Sequence, residues 1–151
     1  RTWRRSKNLY GRSSAWEIRY RSSPIEPGQW MLTCMCYIER LPVMHELVSS
    51  AYHYHRSSYR TRLGKADHYW LADPDEYARL GETIQERAEA YRVYISNGLD
   101  PKDQRMIDTA VRRCKLTGSI RFVKDVYREY GVMGINRGPG RPRKYRKKPV
   151  G

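Results

Sequence analysis

The stretch that decides the fold is DPKDQRMIDTAVRRCKLTGSIRFVKDVYREYG, residues 100–131. Asp100-Pro101 is a helix-starting pair, and apolar side chains then recur at spacings of three and four residues. A short turn containing Gly118 follows, and Ser119 can cap a second helix. The expected apolar faces are Met106, Ile107, Ala110, Val111 and Cys114 in the first helix and Phe122, Val123, Val126, Tyr127 and Tyr130 in the second. This order of elements predicts a helix-turn-helix unit over residues 99–131.

The second of these helices has a basic outer face. Arg121, Lys124 and Arg128 remain opposite its apolar side chains, where a helix that enters a DNA groove needs cations. A plain helical hairpin with a solvated face would show the same pattern. The charge of the chain favours the interpretation of this unit as a binder of DNA or RNA.

The charge is large and unevenly distributed. Thirty Lys and Arg face sixteen Asp and Glu, which gives a net charge of +14 and predicts a polyanionic partner. Residues 1–22 and 137–151 are strongly basic, whereas residues 66–90 carry seven acids against Arg79 and Arg87. No stretch is apolar and long enough to span a membrane, so we expect no membrane partner. We expect a cytoplasmic protein. Its three cysteines, Cys34, Cys36 and Cys114, are expected to be reduced and partly buried.

The acidic middle of the chain predicts two capped helices. In DPDEYARLG, residues 73–81, Asp73 is the expected N-cap, with Pro74 at the first helical position and Glu76 closing a capping box. In the following segment Thr83 is the expected N-cap and Glu86 closes a second capping box. This helix is expected to end at residues 97–98. We expect this region to connect the two basic halves, or alternatively to dock a protein partner within a nucleoprotein assembly.

The N-terminal third predicts a strand and a helix. SSAWEIRYRSSPI, residues 13–25, alternates as a strand does, and a helix is expected from about Pro27 to Leu41, ended by Pro42. The expected apolar face of this helix is Trp30, Cys34, Tyr37, Ile38 and Leu41. On these residues alone Tyr37 is either a core aromatic or a nucleophile.

Five segments in order resemble one family. RSSAWEIRYRSS (12–23), LTCMCYIERLPV (32–43), RSSYR (56–60), RLGETIQERAEAYR (79–92) and GRPRK (140–144) are similar to the REP-associated tyrosine transposases, relatives of the single-tyrosine HUH transposases. The resemblance covers nearly the whole chain. It implies a small α/β nuclease domain, a tyrosine that attacks single-stranded DNA beside a hairpin, and a divalent Mg or Mn ion that polarises the phosphate. It also implies a bacterial protein associated with the nucleoid.

The resemblance places the nucleophile at Tyr37. A phenol can attack a phosphodiester and form a covalent phosphotyrosine. The metal-binding part of the family pattern is incomplete here. No His-hydrophobic-His pair precedes Tyr37, and Leu41 stands where the family has Asn or Gln. We therefore expect a binding protein without a complete catalytic site in this chain. The alternative is an active nickase whose His pair lies upstream of Arg1.

The connector AYHYHRSSYR, residues 51–60, contains His53-Tyr54-His55. On a strand the two imidazoles would face the same side, as a metal pair must, which makes them a weak alternative metal site. The preferred interpretation is a basic, aromatic loop that stacks on bases or touches phosphates.

The C-terminal tail is rich in Pro, Gly and basic residues and has too few apolar side chains to fold alone. Gly140, Arg141, Pro142 and Arg143 resemble the core of an AT-hook, which lies in a narrow A·T minor groove. The alternative is a cationic tail without sequence preference.

Together these observations predict a mostly α chain with a small β element: a partial HUH nuclease domain, a helical region with a helix-turn-helix, and a basic tail. The expected boundaries are 1–64 for the partial nuclease domain, 65–98 for the acidic connector, 99–131 for the helix-turn-helix and 132–151 for the tail. The expected partner is hairpin-bearing single-stranded DNA, or alternatively structured RNA. The expected nucleic-acid contacts are Arg19, Arg21, Arg56, Arg60, Arg121, Lys124, Arg128, Arg141, Arg143, Lys144 and Arg146.

Overall fold

The computed structural model describes residues 20–66 and 71–131. This part of the chain is mostly helical, as predicted. A single-residue parallel bridge joins Ile25 to Thr117. The helices are α1 (Gln29–Met44), α2 (Tyr59–Arg62), α3 (Asp75–Ala78), α4 (Ile84–Asn97), α5 (Pro101–Arg112) and α6 (Ile120–Tyr130), with a 3-10 turn at Ala51–His53. Most of the predicted strand lies outside the described residues.

Helix α1 is the centre of the core. Its buried side chains include Leu32, Met35 and Cys36, which pack with Ala51 and Ile95 and with three tyrosines from α2, α3 and α4. This buried face differs from the predicted one, because Ile38 is 56% exposed. The three tyrosine rings form one aromatic cluster, Tyr59, Tyr77 and Tyr91, whose central ring is fully buried.

Pro42 does not end α1, which continues to Met44. Proline fits helical φ, and although it lacks an N–H and crowds the carbonyl four residues before it, the carbonyls of Leu41 and Pro42 can still accept hydrogen bonds. Backbone N–H groups of His45 and Leu47 donate to Leu41 O and Pro42 O at 2.9 Å each. Helix α1 therefore ends about one turn later in the sequence than predicted, at Met44 instead of Leu41.

The capping prediction is confirmed for α4 but not for α3. In α4 the complete capping box forms between Thr83 and Glu86, and Gly98 follows the last helical residue. In α3 the prediction was wrong, since Pro74 is the N-cap and no side chain caps the helix. Asp73 instead lies 3.8 Å from Arg62, and Glu76 accepts a hydrogen bond of 2.6 Å from the Gly28 N–H.

Candidate functional site

The segment from α5 to α6 forms two helices joined by a short turn. Asp100 caps α5 by accepting from the Lys102 N–H at 2.7 Å, and Ser119 caps α6 by accepting from the Phe122 N–H at 3.1 Å. At the end of α5, Cys114 takes a positive φ of 50° and is exposed. The prediction that Cys114 belongs to the apolar face is therefore wrong, because the chain leaves the helix just before it.

Helix α6 lies on the surface, and none of its residues is buried. Its predicted apolar residues Phe122, Val123, Val126 and Tyr127 are half-buried, whereas Tyr130 is 65% exposed. The predicted basic face does point outward: the side chains of Arg121 and Arg128 are 92% and 80% exposed, and Lys124 is exposed. We refer to Arg121, Lys124 and Arg128 as the α6 basic face.

Asp125 lies between the two arginines of the α6 basic face. Its carboxylate is 3.7 Å from Arg121 Nε and 3.4 Å from Arg128 Nη1. Exposed pairs of this kind contribute little to stability, so their main effect is on the orientation and effective charge of the guanidinium groups. A phosphate approaching α6 has to compete with this carboxylate.

The segment that precedes α1 holds the turn before α6 in place. Backbone groups pair in both directions, with Glu26 N donating to Thr117 O at 2.8 Å and Thr117 N donating to Pro24 O at 2.9 Å. The Glu26 carboxylate accepts from Ser119 N at 2.5 Å and from Ser119 Oγ at 3.0 Å. Ser23 Oγ adds a bond of 2.5 Å to Lys115 O. We refer to residues 23–26 as the tether, which fixes the start of α6 relative to α1.

Gly118 leaves no room for a side chain beside the tether. A Cβ at this position would lie 2.7 Å from Glu26 Cβ and 2.7 Å from Phe122 Cδ1. Real Cβ atoms do not approach other atoms so closely, so glycine is required here by packing rather than by backbone conformation. This gives a physical reason for the glycine that the sequence suggested for the turn.

Tyr37 faces α5 from the middle of α1. It is half-buried, and its hydroxyl donates to Asp108 Oδ1 at 3.5 Å. Asp108 is also paired with Arg112 at 3.0 Å. Burial raises the pKa of Tyr37, and the Asp108 carboxylate raises it further. A phenol in this setting is held in its neutral form, which is the less nucleophilic one.

Within the described part of the chain, the side chains that a metal would need are not assembled around Tyr37. Leu41 has no ligand atom, and His53 belongs to the 3-10 turn rather than to a strand. His55 hydrogen-bonds through Nδ1 to Arg60, so a metal would have to displace Arg60 to bind that nitrogen. Across residues 20–66 and 71–131, no three His, Cys, Asp or Glu side chains are grouped as a metal would require. The described residues therefore do not fit the metal that the family resemblance implies.

The predicted basic contacts of the N-terminal half are dispersed. Arg21 and Arg56 are exposed, and Arg56 lies beside an apolar groove that includes Ile38 and Leu41. Arg60 is half-buried, and its guanidinium group lies 5.4 Å from the centre of the Tyr52 ring. The predicted contacts that lie outside the described residues are Arg19, Arg141, Arg143, Lys144 and Arg146, together with the AT-hook-like core.

Several acids of the middle region have partners within the chain. Glu76 bonds to the Gly28 N–H, which lowers the pKa of its carboxyl group. Glu86 closes the capping box of α4, and Glu89 makes two bonds to Arg92. These carboxylates stabilise local structure, which reduces the acidic surface left for a protein partner.

Sequence reasoning missed the buried pair of Glu39 and Arg62. Their side chains are 2% and 6% exposed and lie 3.6 Å apart. Ser58 Oγ also donates to Glu39, and Tyr77 donates to the Arg62 carbonyl at 2.5 Å. No sequence signal identified the pair, because the apolar face predicted for α1 included neither Met35 nor Cys36, which share the buried face with Glu39. Breaking such a pair leaves an uncompensated buried charge.

Comparison of the chain with protein-family models, curated proteins and solved structures found no match. None of the helices in the described part of the chain is long and apolar enough to cross a membrane.

Proposed function

We propose that this chain is a nucleic-acid-binding protein related to the REP-associated tyrosine transposases, that it binds hairpin-bearing DNA or structured RNA, and that it does so without a complete catalytic site of its own. The observation that carries the proposal is the α6 basic face. Three cations project from one surface helix, which follows a short turn fixed by the tether. A helix-turn-helix likewise presents cations of its second helix to duplex DNA, and this likeness supports the proposal that α6 contacts a duplex.

The charge of the whole chain supports this proposal. A net charge of +14 gives long-range attraction to a polyanion, while the exposed guanidinium groups of α6 supply short-range contacts. If about six to eight phosphates are contacted, affinity falls on the order of a thousandfold between 50 and 200 mM salt.

The test is hairpin binding measured against salt concentration by fluorescence anisotropy. We expect the double variant Arg121→Ala/Arg128→Ala to weaken binding and to reduce the slope of log K against log salt by about 2. The matched control is Arg79→Ala/Arg87→Ala, which removes the same charge from the acidic region. Equal losses in both variants would show that only net charge matters. A flat salt response of the unmodified chain would refute nucleic-acid binding.

A second candidate is an active nickase that uses Tyr37. The observation in its favour is the Asp108 carboxylate, which accepts from the Tyr37 hydroxyl and could take its proton. In such a step the phenol proton passes to Asp108 while the phenol oxygen bonds to phosphorus, the bond from phosphorus to the strand's leaving oxygen breaks, and that oxygen takes a proton from water. Incubation with a hairpin-bearing single strand in Mn²⁺, followed by a denaturing gel, tests it. A covalent adduct that is absent in Tyr37→Phe would support the nickase.

A further inference from the structure

An open cleft lies between residues 50–65 and α4. None of the residues of the α6 basic face lines it. It measures about 700 Å³, which is in the range of ligand-binding clefts in proteins. Aromatic, cationic and apolar side chains all line it, and those relevant here are Tyr52, Tyr59, Lys65, Ile84, Glu89 and Arg92. We refer to this site as the Tyr52 cleft.

The Tyr52 ring is exposed but held in position. It is 40% exposed, and the Arg60 guanidinium group lies 5.4 Å from its centre. The His53 ring packs against it edge-on with centroids 6.0 Å apart. An aromatic ring that is already ordered loses little conformational freedom when a planar group stacks on it. Such a ring is a suitable platform for an unpaired base.

Two cations flank the cleft. Lys65 is exposed, and Arg92 makes bonds of 2.6 and 2.9 Å to Glu89, with side chains that are 57% and 61% exposed. Because the Arg92–Glu89 pair is open to solvent, a phosphate can replace the carboxylate at small cost. The Arg92 guanidinium group is thus already oriented by the Glu89 carboxylate, in whose place a phosphate can bind.

Apolar side chains also line the cleft, and one of them belongs to the core. The Tyr59 ring is buried there and packs on Tyr91 with centroids 6.0 Å apart. Ile84 is 61% exposed at the start of α4. A cleft lined by apolar side chains and by the cations Lys65 and Arg92 suits a ligand that has planar, weakly polar groups carried on an anionic backbone.

We propose that the Tyr52 cleft binds an unpaired segment of nucleic acid, with a base stacked on Tyr52 and phosphates at Lys65 and Arg92. The inference rests on the proposed function and adds a second site to it. Stacking on Tyr52 requires a base that is not paired, so the cleft selects single strand. The chain would then engage a junction, with the stem on the α6 basic face and the unpaired flank in the cleft.

The experiment compares a labelled oligothymidine with a blunt-ended hairpin as ligands of the full chain. We expect Tyr52→Ala to weaken oligothymidine binding on the order of tenfold, and Tyr52→Phe to retain it, because stacking requires the ring rather than the hydroxyl. Glu89→Gln frees Arg92 and should strengthen oligothymidine binding several-fold. Neither Tyr52→Ala nor Glu89→Gln should change affinity for the blunt hairpin.

Asp125→Asn is the charge-matched control for Glu89→Gln. It should strengthen hairpin binding without changing oligothymidine binding. If the unmodified chain binds the hairpin while Tyr52→Ala and Glu89→Gln leave oligothymidine binding unchanged, the cleft inference is wrong and the proposed function stands. If the unmodified chain binds neither ligand, both are wrong. Thermal denaturation of each variant separates a loss of binding from a loss of folding, and Glu89→Gln changes only an exposed pair.

Discussion

Replacing Glu26 by alanine tests whether the tether positions α6. The Glu26 carboxylate accepts two hydrogen bonds from Ser119, one from the backbone N–H at 2.5 Å and one from the hydroxyl at 3.0 Å. The substitution leaves the backbone pairing with Thr117 in place. It therefore removes only the two bonds of the Glu26 side chain and leaves the Ser23 bond to Lys115 O in place.

The magnitude follows from the type of bond. Hydrogen bonds to a charged group contribute about 1.5–3 kcal/mol each, and partial exposure lets water replace part of that. We expect Glu26→Ala to lower the free energy of unfolding by about 2 kcal/mol. For a chain of this length the midpoint of thermal unfolding should fall by about 4–8 °C.

Thermal and urea denaturation followed by circular dichroism would measure this loss, with Glu82→Ala as a charge-matched control on an exposed side chain. A double-mutant cycle with Ser119→Ala isolates the hydroxyl part, since the backbone N–H remains in both serine and alanine. We expect a coupling free energy of about 1 kcal/mol. A Glu26→Ala loss no larger than that of Glu82→Ala would refute the tether as a source of stability.

Three further results are expected. Gly118→Ala should destabilise the chain by about 1–3 kcal/mol, measured by urea denaturation, because the added methyl group overlaps neighbouring side chains at 2.7 Å. Tyr91→Phe should be neutral or stabilising in the same assay, since the buried Tyr91 hydroxyl has no hydrogen-bond partner among residues 20–66 and 71–131; a loss above about 1 kcal/mol would contradict this. Iodoacetamide at pH 8 should modify the exposed Cys114 alone in the native chain, because burial raises the pKa of Cys34 and of Cys36 to about 11, and intact mass would show one adduct rather than three.

Local rules predicted the helices of this chain well. The capping box at Thr83 and Glu86, the Asp100 cap and the Ser119 cap all form, because each depends on residues within three positions of one another. The outward direction of the α6 basic face also followed from helical periodicity. Where the local rule had a competing partner it failed, as at Asp73, which lies near Arg62 instead of capping α3.

The features that depend on distant residues were not predicted. Glu39 and Arg62 lie on different helices, and Glu26 and Ser119 are 93 residues apart in the sequence. No short sequence pattern therefore predicts either pair. The Tyr52 cleft arises in the same way, since Arg92 reaches it from α4 while Tyr52 comes from the connector. Periodicity in one segment carries no information about which other segment packs against it.

The tether also bears on the order in which the chain folds. Its contact between Glu26 and Ser119 closes a loop of 93 residues, which contains the whole α1–α5 region. The entropy cost of closing a loop rises with its length, so we expect a contact of this separation to form late in folding. Helix α6 buries none of its residues and depends on this late contact for its position. We therefore expect α6 to open at a lower free energy than α1, so that its amide hydrogens exchange before those of α1.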